Sequence, residues 1–499
     1  MDSFFDRESA PRRVEAVLIG LGIWIRLKVY WAGRSLFLDE ANLSRNIVER
    51  SWSGFFQTLD YQQYAPPGYL MLVKSATAIF GTGEYGLRLV ALLSSIALLL
   101  VVRRLSHQLI RHAWPRLIPV FLVAFSYEMI RYGTENKQYA WDALLAALLI
   151  ELALRYTPEK ITRWGMLAWA CGGALAVWCT MPVVFILSGI GLYYAYGFWR
   201  TTRPAIDWLI WLGSVGCWLI SFGLYYFWLL RPDIGSDYLN TYHQAYFLPL
   251  LPQNIGDWQQ LGRLLWIVMA ACVGHFVLAV LIGYVSLLWG GRVQAHRSKA
   301  QLLLLGIPVF SCLLASGFEQ YSLLPRLILF LIPLLVLLMG IGTDAWWARY
   351  RRSRKWLFWL WLLVLPMNGG LLYLVMPFSV EDTREVLRAA QQAAAGELVY
   401  VHHEAVPAAI YYRDYHPDRL AFRQKPYYLS HWDETPDTLQ GQSLRDFWYV
   451  YTHLVNEHTR NEVKQQEQAL QQWARKEEEV AATAARAQRW FISAKKAGT

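Results

Sequence analysis

The chain has 499 residues, of which 55% are hydrophobic and 17% are charged, and its formal net charge is +10. Soluble domains carry about 25% charged residues, so the composition excludes an ordinary soluble protein and favours one that crosses a membrane many times. The positive charge does not indicate a nucleic-acid partner, because the basic residues are concentrated in short loops between apolar segments. All five cysteines lie inside apolar segments, so neither a disulfide framework nor a cysteine-based metal site is predicted.

Apolar segments recur along the first three quarters of the chain. A helix needs roughly 20 apolar residues to cross the hydrocarbon core of a bilayer, and shorter runs suffice inside a bundle. The pattern predicts an all-α polytopic bundle of about 11 transmembrane helices. In chain order the predicted spans are 14–31, 85–102, 117–130, 138–155, 164–180, 181–199, 207–229, 262–289, 301–316, 323–343 and 356–377.

Basic residues occur in every second loop, and this alternation predicts the orientation of the chain. By the positive-inside rule the basic loops and the N-terminus are cytoplasmic, so the remaining loops and the C-terminal tail lie outside the cytoplasm. The basic loops are 103–116, 155–163, 200–203, 292–299 and 349–355.

The first outer segment, 32–84, is too long for a simple connector and contains the adjacent carboxylates of Asp39 and Glu40. Carboxylates at a membrane surface are costly unless they carry chemistry or bind a cation. Helical patterns at 39–57 and 68–80 predict amphipathic helices along the interface. Asp39 has two interpretations, an N-cap of the first of these helices or a general base that accepts a proton. The pair could also contribute to a Mg²⁺ or Mn²⁺ site, but two carboxylates are too few to predict one.

Further charged residues lie in or near the other outer segments. Glu135 and Lys137 belong to the second outer loop, for which an ordinary solvated loop is the alternative interpretation. Arg326 begins the tenth predicted span, and Arg26 lies near the outer end of the first. A guanidinium suits a phosphate because it donates two hydrogen bonds at once, although it can equally extend toward lipid headgroups. Arg88, inside the second span, requires a partner or a cavity.

Residues 378–499 have a different pattern from the preceding transmembrane domain, 1–377. Helical and strand-like patterns alternate there and predict a small extracytoplasmic α/β domain. His402 and His403 are predicted to lie in a strand and to point to opposite faces, so no metal site is predicted from them. The predicted helices are 381–395 and 456–475, and the predicted strands are 397–401, 447–451 and 488–493.

Six short motifs follow one another in the first 326 residues. They are Arg26, Asp39-Glu40-Ala41, Ala65-Pro66-Pro67-Gly68-Tyr69, the run 80–89 around Arg88, Glu135-Asn136-Lys137-Gln138-Tyr139 and Pro325-Arg326. This series resembles the protein-O-mannosyltransferase-like glycosyltransferases, whose bacterial members include enzymes of the aminoarabinose-transferase type. The chain departs from the family pattern at Ala65, where some relatives that modify lipid A carry lysine, and at Lys137-Gln138, which replaces Arg-Pro.

The resemblance implies a membrane glycosyltransferase of the C type in the inner membrane of a bacterium. Such an enzyme transfers a sugar from a polyprenyl-phosphate carrier to a lipid, glycan or protein acceptor outside the cytoplasm. The resemblance makes Asp39 the base and adds Glu40 and Glu135 as further acidic catalytic residues. The residues it implies in contact with the donor or its phosphate are Arg88, Lys137, Arg326, Arg26, Tyr69 and Tyr139.

The chemistry of such a donor agrees with this pattern of charges. A polyprenyl phosphate leaves as a stable anion, so the reaction needs stabilisation by cations more than an external energy source. A single base opposite the leaving group predicts inversion at the sugar carbon. The sequence contains no Walker loop, dinucleotide fingerprint or nucleophile elbow that would indicate another chemistry.

Three alternatives remain at this stage. A transporter or flippase of lipid-linked saccharides also needs many spans and buried charges, although transporters usually consist of two related halves. A polymerase or ligase of long glycans would have the same motifs as an enzyme that transfers one sugar. A non-catalytic protein whose tail binds a partner is the third.

Overall fold

A computed structural model provides the fold, and it is mostly helical with a small sheet near the C-terminus. Parts of the eleventh predicted span, 356–377, lie outside the residues that it describes. Those residues are 9–231, 242–350, 356, 360–361, 364, 369–375, 380–391, 397–418, 427–432, 434–440 and 444–492.

The helices of the first 350 residues follow the predicted apolar segments closely. Two of them, α2 and α3, belong to the first outer segment, where α3 closely follows the helix predicted over 68–80 and α2 ends eight residues before the end of the helix predicted over 39–57. The helices are α1 Ser9–Trp31, α2 Leu38–Glu49, α3 Pro67–Phe80, α4 Glu84–Leu109, α5 Leu117–Phe125, α6 Tyr127–Tyr132, α7 Tyr139–Arg155, α8 Arg163–Cys179, α9 Val183–Arg200, α10 Ala205–Tyr225, α11 Ile255–Val273, α12 Val277–Arg297, α13 Lys299–Gly317 and α14 Ile332–Arg349.

The apolar helices make the chain a membrane protein. Among the described residues, five helical segments are long and apolar enough to cross a bilayer by themselves. Several other helices coincide with shorter predicted spans inside the bundle. The five segments are Glu84–Leu109, Ala205–Leu230, Val277–Arg297, Lys299–Gly317 and Leu329–Arg349.

The prediction of one span over 262–289 is wrong. The chain leaves the helical conformation at Gly274, whose φ of +91° suits glycine, and the segment divides into α11 and α12. Both halves are apolar, so the hydrophobic pattern alone does not show the break.

Close helix packing holds the second half of the bundle together. Helix α12 packs along α14, and α9 packs along α13. The backbones of α12 and α14 meet at glycines. A Cβ on Gly290 would lie 1.8 Å from the Leu338 carbonyl oxygen, and a Cβ on Gly342 would lie 2.0 Å from the Ser286 carbonyl oxygen. Small residues permit such an approach between membrane helices.

The tail contains a five-stranded sheet with the order β2-β1-β3-β5-β4. Strand β1 pairs in parallel with β2 and β3, whereas β5 pairs antiparallel with β3 and β4. This arrangement confirms the predicted α/β domain. Helix α15, Leu372–Val375, precedes the tail. The elements of the tail are α16 Thr383–Gln391, β1 Leu398–Val401, α17 Val406–Asp414, β2 Tyr427–Leu429, β3 Asp446–Tyr451, α18 Glu457–Leu470, β4 Ala474–Ala482 and β5 Ala485–Ile492.

Two local predictions in the tail are wrong. The helix predicted over 456–475 ends at Leu470, and the charged residues after it form β4, an edge strand. His402 and His403 do not lie in a strand, because β1 ends at Val401 and a 3-10 turn follows at His403–Ala405. The two imidazole rings therefore lie side by side, with centroids 4.0 Å apart.

The tail and the first outer segment share a hydrophobic core. Buried side chains of α2 and α3 pack in one cluster with residues of α16, α17 and the sheet. Glu84, at the start of α4, lies at the edge of this contact and is almost fully buried. Its carboxylate accepts hydrogen bonds from Arg384 at 2.8 Å, from the Tyr412 hydroxyl at 2.9 Å and from His416 at 2.8 Å.

Removal of the Glu84 carboxylate is expected to loosen the tail. In Glu84→Ala, Arg384 and His416 lose a buried charged partner, and such losses destabilise by about 3–5 kcal/mol. We expect faster limited proteolysis of residues 380–492 and a lower unfolding midpoint in detergent. Glu385→Gln, at an exposed carboxylate on α16, is the matched control. Equal cleavage rates for the two variants would contradict the role of Glu84.

Candidate active site

Helix α2 positions the two adjacent carboxylates of the first outer segment. The helix begins at Leu38, with Phe37 at the N-cap position, and Asp39 and Glu40 lie in its first turn. The N-cap interpretation of Asp39 is therefore wrong. Acidic side chains in the first turn are favoured by the partial positive charge of the free backbone N–H groups there. Because neighbouring positions of a helix point in different directions, the two carboxylates have different surroundings.

Glu40 points inward, and its side chain is only 1% exposed. Its two carboxylate oxygens accept hydrogen bonds from Arg88, at 2.9 Å from Nε and 2.7 Å from Nη2. The backbone N–H of Asn136 donates a third at 2.6 Å. Arg88 also donates to the carbonyl oxygens of Arg34 and Ser35. Glu40 thus connects α2, α4 and the second outer loop in one buried network.

Asp39 points toward the open side, and its side chain is 33% exposed. Its Oδ2 atom lies 3.3 Å from Nη1 of Arg326, the residue that precedes the last long span. Gln63 donates a hydrogen bond to Asp39 and accepts one from Lys137 at 2.8 Å. Burial by itself would raise the pKa of Asp39, but the positive charges of Lys137, Arg326 and His453 outweigh it and hold the pKa below its ordinary value of 3.8.

The second outer loop contributes a more buried acidic group. Glu135 accepts a hydrogen bond from Arg131 at 3.0 Å, and its other carboxylate oxygen has no hydrogen-bond partner. Burial raises the pKa of Glu135, although Arg131 opposes the shift. Glu135 is therefore an enclosed acidic group, unlike the partly exposed Asp39.

Three of the residues predicted to contact the donor are enclosed by protein. Arg26 is fully buried and donates from all three side-chain nitrogens, to Ser95 and to carbonyl oxygens that include those of Ala124 and Val123. Arg88 is committed to Glu40. The Tyr69 hydroxyl donates to Asn136 within the core. In this structure these three side chains are therefore enclosed and paired, unlike the partly exposed Asp39.

The remaining predicted contacts lie together around Asp39. Arg326 is 26% exposed at its side chain and lies over the ring of Tyr242, 5.8 Å from the centroid. Lys137 is buried beneath Asp39, and its burial lowers its pKa while Asp39 raises it. Tyr139 packs edge-to-face on Tyr132 and interacts electrostatically with Arg326.

The tail supplies a residue that the sequence did not indicate. His453 follows β3, interacts with Asp39, and lies 3.2 Å from Glu381. Burial lowers the pKa of His453, but Glu381 outweighs that effect and the net shift is upward. Its φ of +63° is a strained conformation for a residue other than glycine, and such strain is concentrated at functional sites. No motif marks His453, because sheet pairing and the contact between tail and bundle bring it to the site.

The two carboxylates of α2 are directed at different partners in this structure. Glu40 gives both oxygens to Arg88, and Asp39 faces Arg326 and Lys137. A Mg²⁺ or Mn²⁺ ion needs several oxygen ligands directed at one point. Within the described residues, Asp39 thus faces cationic side chains, and Glu40 is paired inside the protein.

The fold of this chain, a helical membrane bundle with a small α/β tail, is shared with solved structures of another protein. Two crystal structures of ArnT from Cupriavidus metallidurans are similar to the chain. The apo structure has a TM-score of 0.54 and 14% sequence identity, with 95% of this chain and 97% of that chain covered. The structure bound to undecaprenyl phosphate has a TM-score of 0.53 and 15% identity, with 99% and 100% covered.

The likeness confirms the predicted fold over nearly the whole chain. No protein-family model matches the sequence, and no curated protein matches it. The similarity is therefore carried by the arrangement of helices and tail and not by close sequence identity.

Proposed function

We propose that this chain is a glycosyltransferase that moves a sugar from a polyprenyl-phosphate carrier to an acceptor outside the cytoplasm. The observation that carries the proposal is the pairing of an open carboxylate, Asp39, with the cations Arg326 and Lys137. One of the two ArnT structures with this fold is bound to undecaprenyl phosphate. The outward orientation of the site follows the distribution of basic loops in the sequence.

The carrier phosphate is the natural partner of the two cations. Arg326 presents a partly exposed guanidinium, whose planar fork matches the oxygens of a phosphate. Lys137 adds a second positive charge from beneath, with its ammonium held by Gln63. Cations fixed in place before the reaction stabilise the phosphate as it leaves, because they need no reorganisation during the reaction.

Asp39 acts as the base in this proposal. An acceptor hydroxyl or amine transfers its proton to the carboxylate while its oxygen or nitrogen forms a bond to the anomeric carbon. The bond between that carbon and the phosphate oxygen breaks, and its electron pair leaves with the polyprenyl phosphate. Attack opposite the leaving group inverts the configuration of the sugar carbon. NMR of the product would contradict this step if the configuration were retained.

Binding of the donor is expected to raise the low pKa of Asp39. A base works best when its pKa lies near the working pH, and the cations around Asp39 hold its pKa below 3.8 in the free protein. A phosphate bound to Arg326 and Lys137 offsets those positive charges. The pKa of Asp39 then rises, so the carboxylate becomes a stronger base only when a donor is in place.

In the proposal, the other predicted residues hold the elements that carry Asp39, Arg326 and Lys137 in place. Glu40 and Arg88 fix the start of α2 against the second outer loop, and Arg26 joins α1 to α5. We assign Tyr139 to the wall beside the cations and Glu135 to the buried pair with Arg131. Glu135 thus has a supporting role in the proposal and does not share the proton transfer with Asp39.

The proposal is tested by turnover with the purified full chain in nanodiscs. A panel of polyprenyl-phosphate sugars is offered with lipid, glycan and peptide acceptors, and release of free polyprenyl phosphate is followed. We expect release that depends on one donor and increases with one class of acceptor. No release with any pair, together with movement of the intact donor across liposome membranes, would overturn the proposal in favour of a transporter.

Loss of the Arg326 guanidinium is expected to weaken donor binding. In Arg326→Gln the phosphate loses charge-assisted hydrogen bonds, each of which contributes about 1.5–3 kcal/mol, so kcat/KM should fall roughly 10- to 150-fold. The main change should be a higher KM for the donor. Arg263→Gln, at an exposed arginine stacked on Tyr246, is the matched control and should be unchanged. An unchanged donor KM in Arg326→Gln would exclude the phosphate contact.

A further inference from the structure

A group of potential metal ligands lies in the tail, apart from the contacts made by Asp39. The 3-10 turn after β1 carries His402 and His403, and helix α18 carries Glu462 opposite them. One ligand atom from each residue can be chosen so that all three lie within 4.8 Å of one another. Within the described residues, no second group of three such side chains comes this close.

The separations suit a small divalent cation. The His402 Nε2 atom lies 3.3 Å from Glu462 Oε1, and the His403 Nδ1 atom lies 3.7 Å from the same oxygen. Ligands bound to Zn²⁺ at about 2.0–2.1 Å in a tetrahedron lie roughly 3.3 Å apart. Small rotations of the side chains therefore bring the three atoms to bonding distance of one ion.

The environment of His403 is a second, independent observation in favour of a bound ion. Its side chain is 4% exposed, and neither ring nitrogen has a hydrogen-bond partner. The ring lies between His402 and Trp432, with centroids 4.0 Å and 4.3 Å away. A buried polar group without a partner is destabilising, so both nitrogens of this imidazole call for an explanation. A bound cation would satisfy one of them.

His458 lies near these three residues on the solvent-exposed side. It precedes Glu462 by four residues on α18, so the two side chains share a face of the helix. His458 interacts electrostatically with Glu462 and with His403. It is exposed, as Glu462 is in part, and this side gives an ion a path from solvent.

We propose that His402, His403 and Glu462 bind a divalent transition-metal ion of the Zn²⁺ class, with His458 or water as the fourth ligand. Two imidazoles and one carboxylate favour such borderline ions over Mg²⁺ or Ca²⁺, which prefer oxygen ligands. The ion joins the turn after β1 to helix α18 and stabilises the tail.

Two hydrogen bonds of His402 change when the ion binds. The ion replaces the hydrogen bond between His402 Nε2 and Glu462 Oε1, which is 3.3 Å long. The Glu404 backbone N–H donates to His402 Nδ1 at 3.3 Å, which leaves the ring proton on Nε2. Binding of a metal at Nε2 moves that proton to Nδ1 and releases the amide. At 3.3 Å this hydrogen bond is longer than usual, so the change costs little.

The test is metal binding by the full chain, purified without a histidine tag. Co²⁺ is titrated and the visible absorption of tetrahedral Co²⁺ is recorded, and bound Zn²⁺ is counted by mass spectrometry after dialysis. We expect one ion per chain, a higher unfolding midpoint with Zn²⁺, and at least tenfold weaker binding in His403→Ala and Glu462→Gln. Glu457→Gln, at an exposed carboxylate on the same helix, should bind as the wild type does.

Two further variants make the outcome unambiguous. Asp39→Asn changes a carboxylate outside this group of ligands, so that variant should keep the ion. Glu462→Gln preserves the shape of the side chain, so with His402→Asn it carries the test if His403→Ala does not fold. The proposal is overturned if the wild type binds no stoichiometric ion. It is also overturned if the correctly folded ligand variants bind as tightly as the wild type.

Discussion

Asp39→Asn should lower kcat for sugar transfer by about 10²- to 10⁴-fold, the usual contribution of a general base. Asparagine has nearly the same shape as aspartate and can still contact Arg326, so the fold and donor binding should remain. The rate should be measured with saturating donor and acceptor, after size-exclusion chromatography shows the same elution for both proteins. Glu49→Gln, at a partly exposed carboxylate on the same helix, should have the wild-type rate.

The pH dependence of the wild type gives a second view of the same group. The pKa of Asp39 is depressed below 3.8, so the carboxylate is charged above that pH and loses its charge only in stronger acid. With free enzyme, kcat/KM should therefore show no acid limb from Asp39 above about pH 4. In the donor complex the phosphate offsets the cations, so the acid limb of kcat should lie at higher pH. Coincident limbs would contradict the proposed link between donor binding and the base.

Glu40→Gln should strongly reduce the stability of the fold, although glutamine has nearly the same shape as glutamate. The variant leaves the guanidinium of Arg88 buried without its charged partner, and such losses cost about 3–5 kcal/mol. It also weakens the acceptor for the Asn136 N–H, so the second outer loop loses its link to α2. The free energy of unfolding in detergent is the quantity to measure.

Two comparisons test whether the buried ion pair of Glu40 and Arg88 stabilises the fold. The ion pair of Arg45 with Glu49 is a more exposed contact within α2, and Glu49→Gln should change stability by no more than about 0.5 kcal/mol. The double variant Glu40→Gln with Arg88→Met removes the unpaired charge and should recover part of the loss. Equal stabilities of Glu40→Gln and Glu49→Gln would show that the buried pair does not hold the site together.

The sequence predicts the fold well where hydrophobicity determines it. Most helices up to residue 350 and the α/β character of the tail follow from apolar runs and alternating patterns. The predictions are wrong where tertiary contacts or a single backbone angle determine the secondary structure. Gly274 ends a helix inside a continuous apolar run, and the residues after Leu470 form β4 because β5 offers them hydrogen bonds, although their composition favours a helix.

The site is only partly visible in the sequence. Motif order draws attention to Asp39 and Glu40 together, but adjacent residues on a helix face different surroundings, and burial separates an open carboxylate from an enclosed one. Arg88 and Arg26 resemble phosphate ligands until their partners are known. His453 and the pair His402 and His403 depend on how the tail folds and docks, which no local pattern reveals.

The division of the site into a base and a phosphate contact is the central claim, and one kinetic comparison tests it. The kcat of transfer and the KM for the polyprenyl-phosphate donor are measured for the wild type, Asp39→Asn and Arg326→Gln under the same conditions. The account predicts that Asp39→Asn loses kcat with an unchanged donor KM, whereas Arg326→Gln raises the donor KM. Wild-type kcat in a folded Asp39→Asn protein would contradict the account.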